Sequence, residues 1–366
     1  MRLALRELRR APRRFVATTA ALALIVVLLL LLGGLSDGLY LGSTGALRAQ
    51  RADLVVFSAE ARDSAIRSRI DAEVREQVAA ADGVVDTHGF GVALVGARVP
   101  GRSELADAAV LGYEGAVSGV PDPPPSGEAW ADRRLEADGV EPGQTLLLGP
   151  AQVPVVVAGW VSDTSYLLQG GLWVEPGTWR EVLSRSRPDA ALAGGTFQTV
   201  MVEVEGDPDV VAARIDTQTG GATRTLTVDK AVLALPGVEA QNSTFRQIVG
   251  VTFLVAGLVV ALFFALLTLE RIGLYGVLKA VGASTSQLAV GLLIQAVAVS
   301  AVAYLLGAAV SLGVAAITPP DIPLRLTGSR AVFVAVGVVV TAGLGGALSL
   351  RRVARVDPAS AIGTAG

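Results

Sequence analysis

Apolar residues along this chain gather into four long stretches separated by polar sequence. Phe15 to Leu35 contains an unbroken apolar run from Ala20 to Leu32, and Ile248 to Leu269 is interrupted only by Thr252 and Thr268. Leu288 to Ile317 has Gln295 as its one strongly polar residue, and Ala331 to Leu350 is rich in Val, Gly and Ala. An α-helix rises about 1.5 Å per residue, so about 20 apolar residues cross the bilayer core. Each stretch therefore predicts a membrane-spanning helix, placed at 15–35, 247–269, 288–317 and 331–350, and none holds a charged residue. The first run is longer than the roughly 7–15 apolar residues of a secretory signal, and Gly33-Gly34-Leu35-Ser36 is a poor cleavage site, so it predicts a retained anchor.

Residues 36–246 have a different rhythm. Asp53 to Ser58 is a short apolar run that predicts a strand. Ala65 to Ala81 sets Ile66, Ile70, Val74 and Val78 at helical spacing before Asp82-Gly83 ends it. Val84 to Val99 alternates and contains glycines, which predicts strands joined by a turn, and Ala108 to Tyr113 predicts another strand. Pro121 to Pro125 is turn-rich and predicts a split into two subdomains near 121–126. Beyond it the pattern predicts helices at Ala131 to Ala137, Gly177 to Ser184 and Pro208 to Asp216. It predicts strands at Thr145 to Leu148, Val153 to Val161, Leu172 to Val174 and Val200 to Val204, and a helical return to the membrane over Val228 to Phe245. The expected fold is an α-helical membrane protein with four transmembrane helices plus an α+β extracytoplasmic domain.

Charge orients this layout. Six arginines (Arg2, Arg6, Arg9, Arg10, Arg13, Arg14) precede the first span, Arg271 and Lys279 lie between the second and third, and Arg351, Arg352 and Arg355 follow the fourth. The positive-inside rule puts 1–14, 270–287 and 351–366 in the cytoplasm, and 36–246 with the short 318–330 loop outside. From Asp37 to Phe245 there are 29 acidic and 16 basic residues, a balance of −13, while the rest of the chain is +10. The basic half suits anionic lipid at the inner leaflet. Over all 366 residues the charge is −3, which argues against a nucleic-acid partner. With no cysteine and one histidine, disulfides, thiolate metal sites and histidine-rich metal sites are excluded.

Catalytic patterns are thin. Ser162, Asp163 and His88 lack a GxSxG elbow, and His88 beside Gly89 reads as a loop or strand-edge residue. Glu203 and Glu205 alternate on one strand face as a solvated pair, and Trp130, Trp160, Trp173 and Trp179 read as packing for the β core. Within the spans, Gly250, Gly257, Gly307 with Ser311, Gly343, Gly345 and Gly346 permit close helix contact.

The most informative segment is the inner loop, Leu269 to Ser284. Gly282-Ala283-Ser284 reads as a helix stop followed by a cap for the third span, with Ser284 or Thr285 capping. The run Gly276-Val277-Leu278-Lys279-Ala280-Val281-Gly282-Ala283-Ser284 resembles the second half of the motif RxEIGxLKAxGAS of the FtsX-like permease family, which includes MacB-type transporters. Leu274-Tyr275 stands where the family has Glu-Ile. The tail from Arg351 and Arg352 through Arg355 to Asp357-Pro358 resembles the family ending, and ADLVVFS after a basic first span is similar to permeases of the DevC type. The layout of one span, a large outer domain and three clustered spans is similar too, so the resemblance covers nearly the whole chain.

That resemblance implies a permease subunit of an ABC exporter or mechanotransmission complex with a MacB-like periplasmic core, in the bacterial plasma (inner) membrane. It implies two partners, a cytoplasmic ABC ATPase and a second permease copy or paralogue, with a periplasmic adaptor or secreted protein as a further candidate. Tyr275, Gly276, Leu278, Lys279, Ala280, Gly282, Ala283 and Ser284 would form the coupling helix against the ATPase, and Arg351, Arg352, Arg355, Asp357 and Pro358 a tail contact. Neither Lys230 nor Lys279 follows a glycine, so the chain has no phosphate-cradling loop. ATP and Mg are expected in the partner, with no cofactor in this chain. The alternative within the family is an FtsX-type scaffold that regulates a cell-wall hydrolase.

Overall fold

The computed structural model describes residues 12–270, 281, 284–319 and 322–354. Two units divide the chain, Met1–Gly38 with Ser243–Gly366, and Leu39–Asn242. Eight α-helices are described: α1 (Pro12–Arg48), α2 (Ala72–Ala79), α3 (Pro176–Ser186), α4 (Pro208–Gln218), α5 (Val228–Ala234), α6 (Val238–Glu270), α7 (Thr285–Ile317) and α8 (Gly328–Ala354). Nine strands accompany them: β1 (Leu54–Ser58), β2 (Val84–Arg98), β3 (Leu105–Tyr113), β4 (Glu128–Asp132), β5 (Thr145–Leu148), β6 (Val153–Val161), β7 (Gly170–Val174), β8 (Thr199–Val204) and β9 (Thr223–Thr227).

Local chemistry fixes the helix starts. Asp71 caps α2 by accepting from Val74 N, and Glu175 caps α3 by accepting from Gly177 and Thr178 N with Pro176 at the first helical position. Asp207 and Pro208 repeat that arrangement at α4. The predicted helix over Ala65 to Ala81 is shorter than expected. A 3₁₀ turn at Ala65–Arg67 and a bridge from Ile70 to Phe197 come first, and the helix starts only after the Asp71 cap. The helix predicted at Ala131 to Ala137 is the end of β4 followed by a 3₁₀ turn at Arg133–Glu136.

The strands make two joined lobes. β1, α2, the first half of β2, β8, α4 and β9 form an antiparallel sheet in the order β2-β8-β1-β9, with βαββαβ connectivity. Between its second and third strands the chain inserts a closed barrel, in which β2 pairs β3, then β7, β4, β6 and β5 follow round to β2 again. The stretch expected to be strands joined by a turn is therefore one 15-residue strand that serves both lobes. Pro121 to Pro125 lies between β3 and β4, two strands of the same barrel. β9 escaped the sequence reading because Thr223-Arg224-Thr225-Leu226-Thr227 offers a single large apolar residue.

Three apolar clusters hold this unit. Leu54, Val56, Val78, Val200, Val202, Val211 and Ile215 pack α2 and α4 onto one sheet face. The barrel encloses Ala108, Val110, Leu146, Val155 and Leu172, closed by Trp179 and Val182 of α3. Gly91 and Gly112 face each other across β2 and β3, and any side chain at Gly91 would run into the Trp179 indole, so the glycine pair makes the slot for that ring. Trp179 in turn stacks on Phe197, 5.7 Å between centroids. A third cluster joins Ala46 and Leu47 of α1 to Phe57, Phe90, Tyr113, Trp173, Met201 and Val232.

His88 is a strand residue rather than a loop one, on a stretch of β2 that pairs with β8 alone. It lies within β2 opposite Met201, 5% exposed, with neither ring nitrogen hydrogen-bonded. Burial lowers its pKa below 6.5 and Arg75 adds to that, against the opposing pull of Asp86, Glu203 and Glu114. The unfolded chain takes up this proton near its ordinary value, so the neutral ring stabilises the fold above about pH 6.5, and that contribution fades as pH falls toward the lowered value. The thermal midpoint of the Leu39–Asn242 unit should fall between about pH 7.5 and pH 5.5, and His88→Gln should flatten the fall. Equal slopes for the two proteins in a pH series of melts would exclude His88 as the cause.

Candidate functional site

The helical unit packs through apolar layers. Phe15, Leu22, Val260, Ala296, Val299, Ala303 and Ala342 form one, with Phe15 edge-on to Phe263 at 5.9 Å. Val26, Leu29, Leu30, Val334 and Val338 form the next. Gly307 lets α7 touch α1: a Cβ there would lie 2.6 Å from Val26 Cγ1 and 2.8 Å from the Ala23 carbonyl oxygen. Gly257 meets Thr341 of α8 in the same way, at 2.9 Å. Gly250 meets nothing within 4 Å, Gly343 makes only ordinary contact with Leu293, and Gly345 and Gly346 lie outside the described side chains. Val251, Leu254, Leu258, Leu262 and Leu266 stay exposed along α6 at helical spacing, as a lipid-facing stripe requires.

Among the described residues, three helices are long and apolar enough to cross a membrane, at Phe15–Arg48, Val238–Phe263 and Leu293–Ile317, and a shorter apolar helix runs over Gly328–Leu344. The first does not stop at Leu35. It continues to Arg48, which places Asp37 inside the helix.

Asp37 is where this unit becomes chemically specific. Arg330, at the start of α8, donates from Nη2 to Asp37 Oδ1 and from Nε to Oδ2 at 3.2 Å, and Thr327 Oγ1 donates to Oδ2 at 2.8 Å. The pair is mostly withdrawn from solvent, at 18% and 25% side-chain exposure. Glycine makes the approach possible. Gly33 lies against the Arg330 side chain, Gly34 against Leu324 and Leu326, and a side chain at Gly38 would collide with the Pro323 carbonyl. Arg325 N also donates to Gly34 O at 3.0 Å. The loop before α8 is thus laid along the glycine face of α1 and pinned by a bidentate ion pair.

On the other side of the unit, Ser284 caps α7. Its hydroxyl accepts from Gln287 N while the Gln287 side chain accepts from Ser284 N, a reciprocal capping box. The rest of the expected coupling helix, Tyr275, Gly276, Leu278, Lys279, Ala280, Gly282 and Ala283, lies outside the described residues, as do Arg355, Asp357 and Pro358. Arg351 and Arg352 belong to the α8 backbone, with their side chains outside the described set. Among the described residues, no three His, Cys, Asp or Glu side chains gather as metal ligands do.

Residues 247–358 match the family described as FtsX-like permease C-terminal. Over that stretch the chain is similar to an FtsX-like permease domain. A hemin transport system permease protein named HrtB, from Staphylococcus haemolyticus strain JCSC1435, is 30% identical over 125 residues, 34% of this chain and 36% of that protein. An uncharacterized ABC transporter permease of Mycobacterium bovis is 35% identical over 113 residues, 30% of this chain and 31% of the relative. The chain thus spans about a third of the length of the relatives it matches. The periplasmic region of MacB from Actinobacillus actinomycetemcomitans aligns at a TM-score of 0.33 and 12% identity, covering 49% of this chain and 90% of that one. The extracellular domain of the ABC-type transporter YknZ aligns at 0.33 and 15%, covering 48% and 100%.

Neither Asp37 nor Arg330 stands out in the sequence of the helical unit, because 293 positions separate them. The available signal was local: an acid flanked by Gly33, Gly34 and Gly38 in a helix otherwise built of leucine and valine. Removing one partner of a fully buried pair costs about 3–5 kcal/mol, because the other charge is left unpaired, and solvent access to this half-buried pair makes the loss smaller. Asp37→Ala and Arg330→Ala should each lower the thermal midpoint in detergent, and the exchanged pair Asp37→Arg with Arg330→Asp should recover part of the loss. Additive losses in the exchanged protein would mean that the two side chains do not act as a pair.

Proposed function

We propose that this chain is the transmembrane permease subunit of an ABC exporter or mechanotransmission complex, coupled to a separate cytoplasmic ATPase. The observation that carries the reading is the match of residues 247–358 to the FtsX-like permease domain, the segment that holds the coupling-loop motif. Four spans, at 15–35, 247–269, 288–317 and 331–350, put both termini in the cytoplasm of a bacterial inner membrane and the acidic outer domain on the far side. Gly276 to Ser284, with Tyr275, forms the coupling helix, and the capping box at Ser284 gives that helix a fixed exit into α7. The basic tail from Arg351 to Pro358 provides a second contact. Two permease copies, or a copy and a paralogue, act with two ATPases, which bind ATP and Mg.

Hydrolysis in the partner would drive the outer unit rather than carry cargo along a polar path through the helices. The spans support this, since charges inside membrane helices usually mark ion or polar-substrate routes and these stretches contain none. Hemin, named for the staphylococcal relatives, is the first cargo to test.

Co-purification with an ABC ATPase in detergent, followed by ATP turnover, tests the reading. Lys279→Glu or Gly282→Pro should weaken the complex at least severalfold while membrane insertion is retained, and undiminished co-purification of both variants would sink the coupling-helix assignment. Tags at Ser126 and at the C-terminus should report opposite faces of the membrane in a protease-accessibility assay. The same accessibility for both would overturn the four-span topology.

A further inference from the structure

The β6–β7 turn, residues 162–169, has an unusual backbone. Asp163, Leu167 and Leu168 all take left-handed φ values, of 60°, 49° and 67°. Leucine is seldom found there, because its Cβ crowds the backbone, and such residues persist only where their surroundings over-determine them. Two sets of contacts do so here. On one side is α1: Leu168 N donates to Gly42 O and Leu167 N to Ser43 O, each at 3.0 Å, while Ala46 N donates to Ser165 O at 3.0 Å. Gly42 and Gly45 leave the room for this, since a Cβ at Gly45 would lie 2.5 Å from the Asp163 carbonyl oxygen and one at Gly42 would lie 3.0 Å from Leu168 Cδ2.

On the other side is Asp132, at the end of β4 and 3% exposed. Its Oδ2 accepts from both the backbone N and the hydroxyl of Thr164, at 2.7 Å each, and its Oδ1 accepts from Arg134 N at 2.9 Å. Tyr166, at the head of the turn, is buried in the cluster that holds Ala46 and Leu47 of α1.

We propose that this turn, gripped by α1 and set in place by Asp132, is the contact through which α1 acts on the barrel. The role rests on the permease reading above. The turn joins two barrel strands, and its left-handed residues depend on α1 staying where it is. A shift of α1 along this contact removes three main-chain hydrogen bonds and frees Asp163, Leu167 and Leu168 to relax, which changes how β6 and β7 are joined. Asp132 is a positioning residue: it holds the far side of the turn still, so that movement of α1 is taken up by the barrel and not by the turn alone.

Amide hydrogen exchange of the full-length chain in lipid nanodiscs, with a co-purified ABC ATPase, tests this. In the wild-type complex, trapping with ATP and orthovanadate should change exchange at Leu167 and Leu168 by about tenfold. Asp132→Asn should exchange fast at both amides before nucleotide is added, lose the nucleotide response, and lower permease-dependent ATP turnover severalfold, with exchange in β2 and β8 unchanged. Thr164→Ser, which keeps the hydroxyl, should behave as wild type. No nucleotide response in a wild-type complex that turns over ATP would overturn the proposal, as would wild-type response and turnover in Asp132→Asn. A wild-type chain that retains no ATPase would first defeat the permease reading, visible at co-purification, and the coupling role with it.

Discussion

At Gly38 the backbone of α1 lies so close to the Pro323 carbonyl that no side chain fits between them, and at Gly45 a Cβ would also run into a carbonyl, that of Asp163. Within each unit, main chain approaches main chain at glycines of α1. Gly34 and Gly38 serve the helical unit, and Gly42 and Gly45 the unit Leu39–Asn242. Such contact is possible only without a Cβ, and it lets hydrogen bonds form between segments that side chains would hold apart. The ion pair between Asp37 and Arg330 depends on this approach as well, since the loop must first lie against the helix before the guanidinium can reach.

Much of the outer unit was legible because its elements are short and well punctuated. Thr145–Leu148 and Val153–Val161 stand as expected across Gly149-Pro150, and α3 and α4 begin at prolines preceded by acidic caps. Buried Trp173 and Trp179 pack the core as their clustering suggested. Failures came where tertiary pairing overrode local pattern. Val84–Arg98 contains glycines that read as a turn, yet Gly91 is there to admit Trp179, a partner 88 positions away. Ile66 and Ile70 sit at helical spacing, but Ile70 is held by a bridge to Phe197 and cannot join the helix. Of the candidate site, the cap at Ser284 was readable because it is local, whereas the union of Asp37, Thr327 and Arg330 is set by how helices pack, which no short window of sequence records.

Electrostatics divides the molecule in a related way. The sheet unit carries a large acidic excess, yet buried Asp132 takes Thr164 as donor, and half-buried Asp216 takes the hydroxyls of Thr223 and Thr225 that fasten β9 to α4. Without cysteine, this unit relies on such polar ties and on its three apolar clusters for strength. In the helical unit, desolvation makes an unpaired charge expensive, and the one carboxylate inside α1 is matched by a guanidinium at both of its oxygens.

The shared strand β2 has a consequence for the order in which the chain can assemble. The βαββαβ lobe has its first two strands in place by Arg98 but must wait for β8 and β9, about a hundred residues later, and the barrel is made in the interval. Pairings across such separations are slow to form, because a long loop must close before any of them is rewarded. Barrel closure shortens that loop, bringing the end of β7 back toward β2 and delivering β8 beside it. The unit Leu39–Asn242 is complete at the first residues of α6, so a chain emerging from the ribosome finishes it while most of α6, and all of α7 and α8, are still unmade.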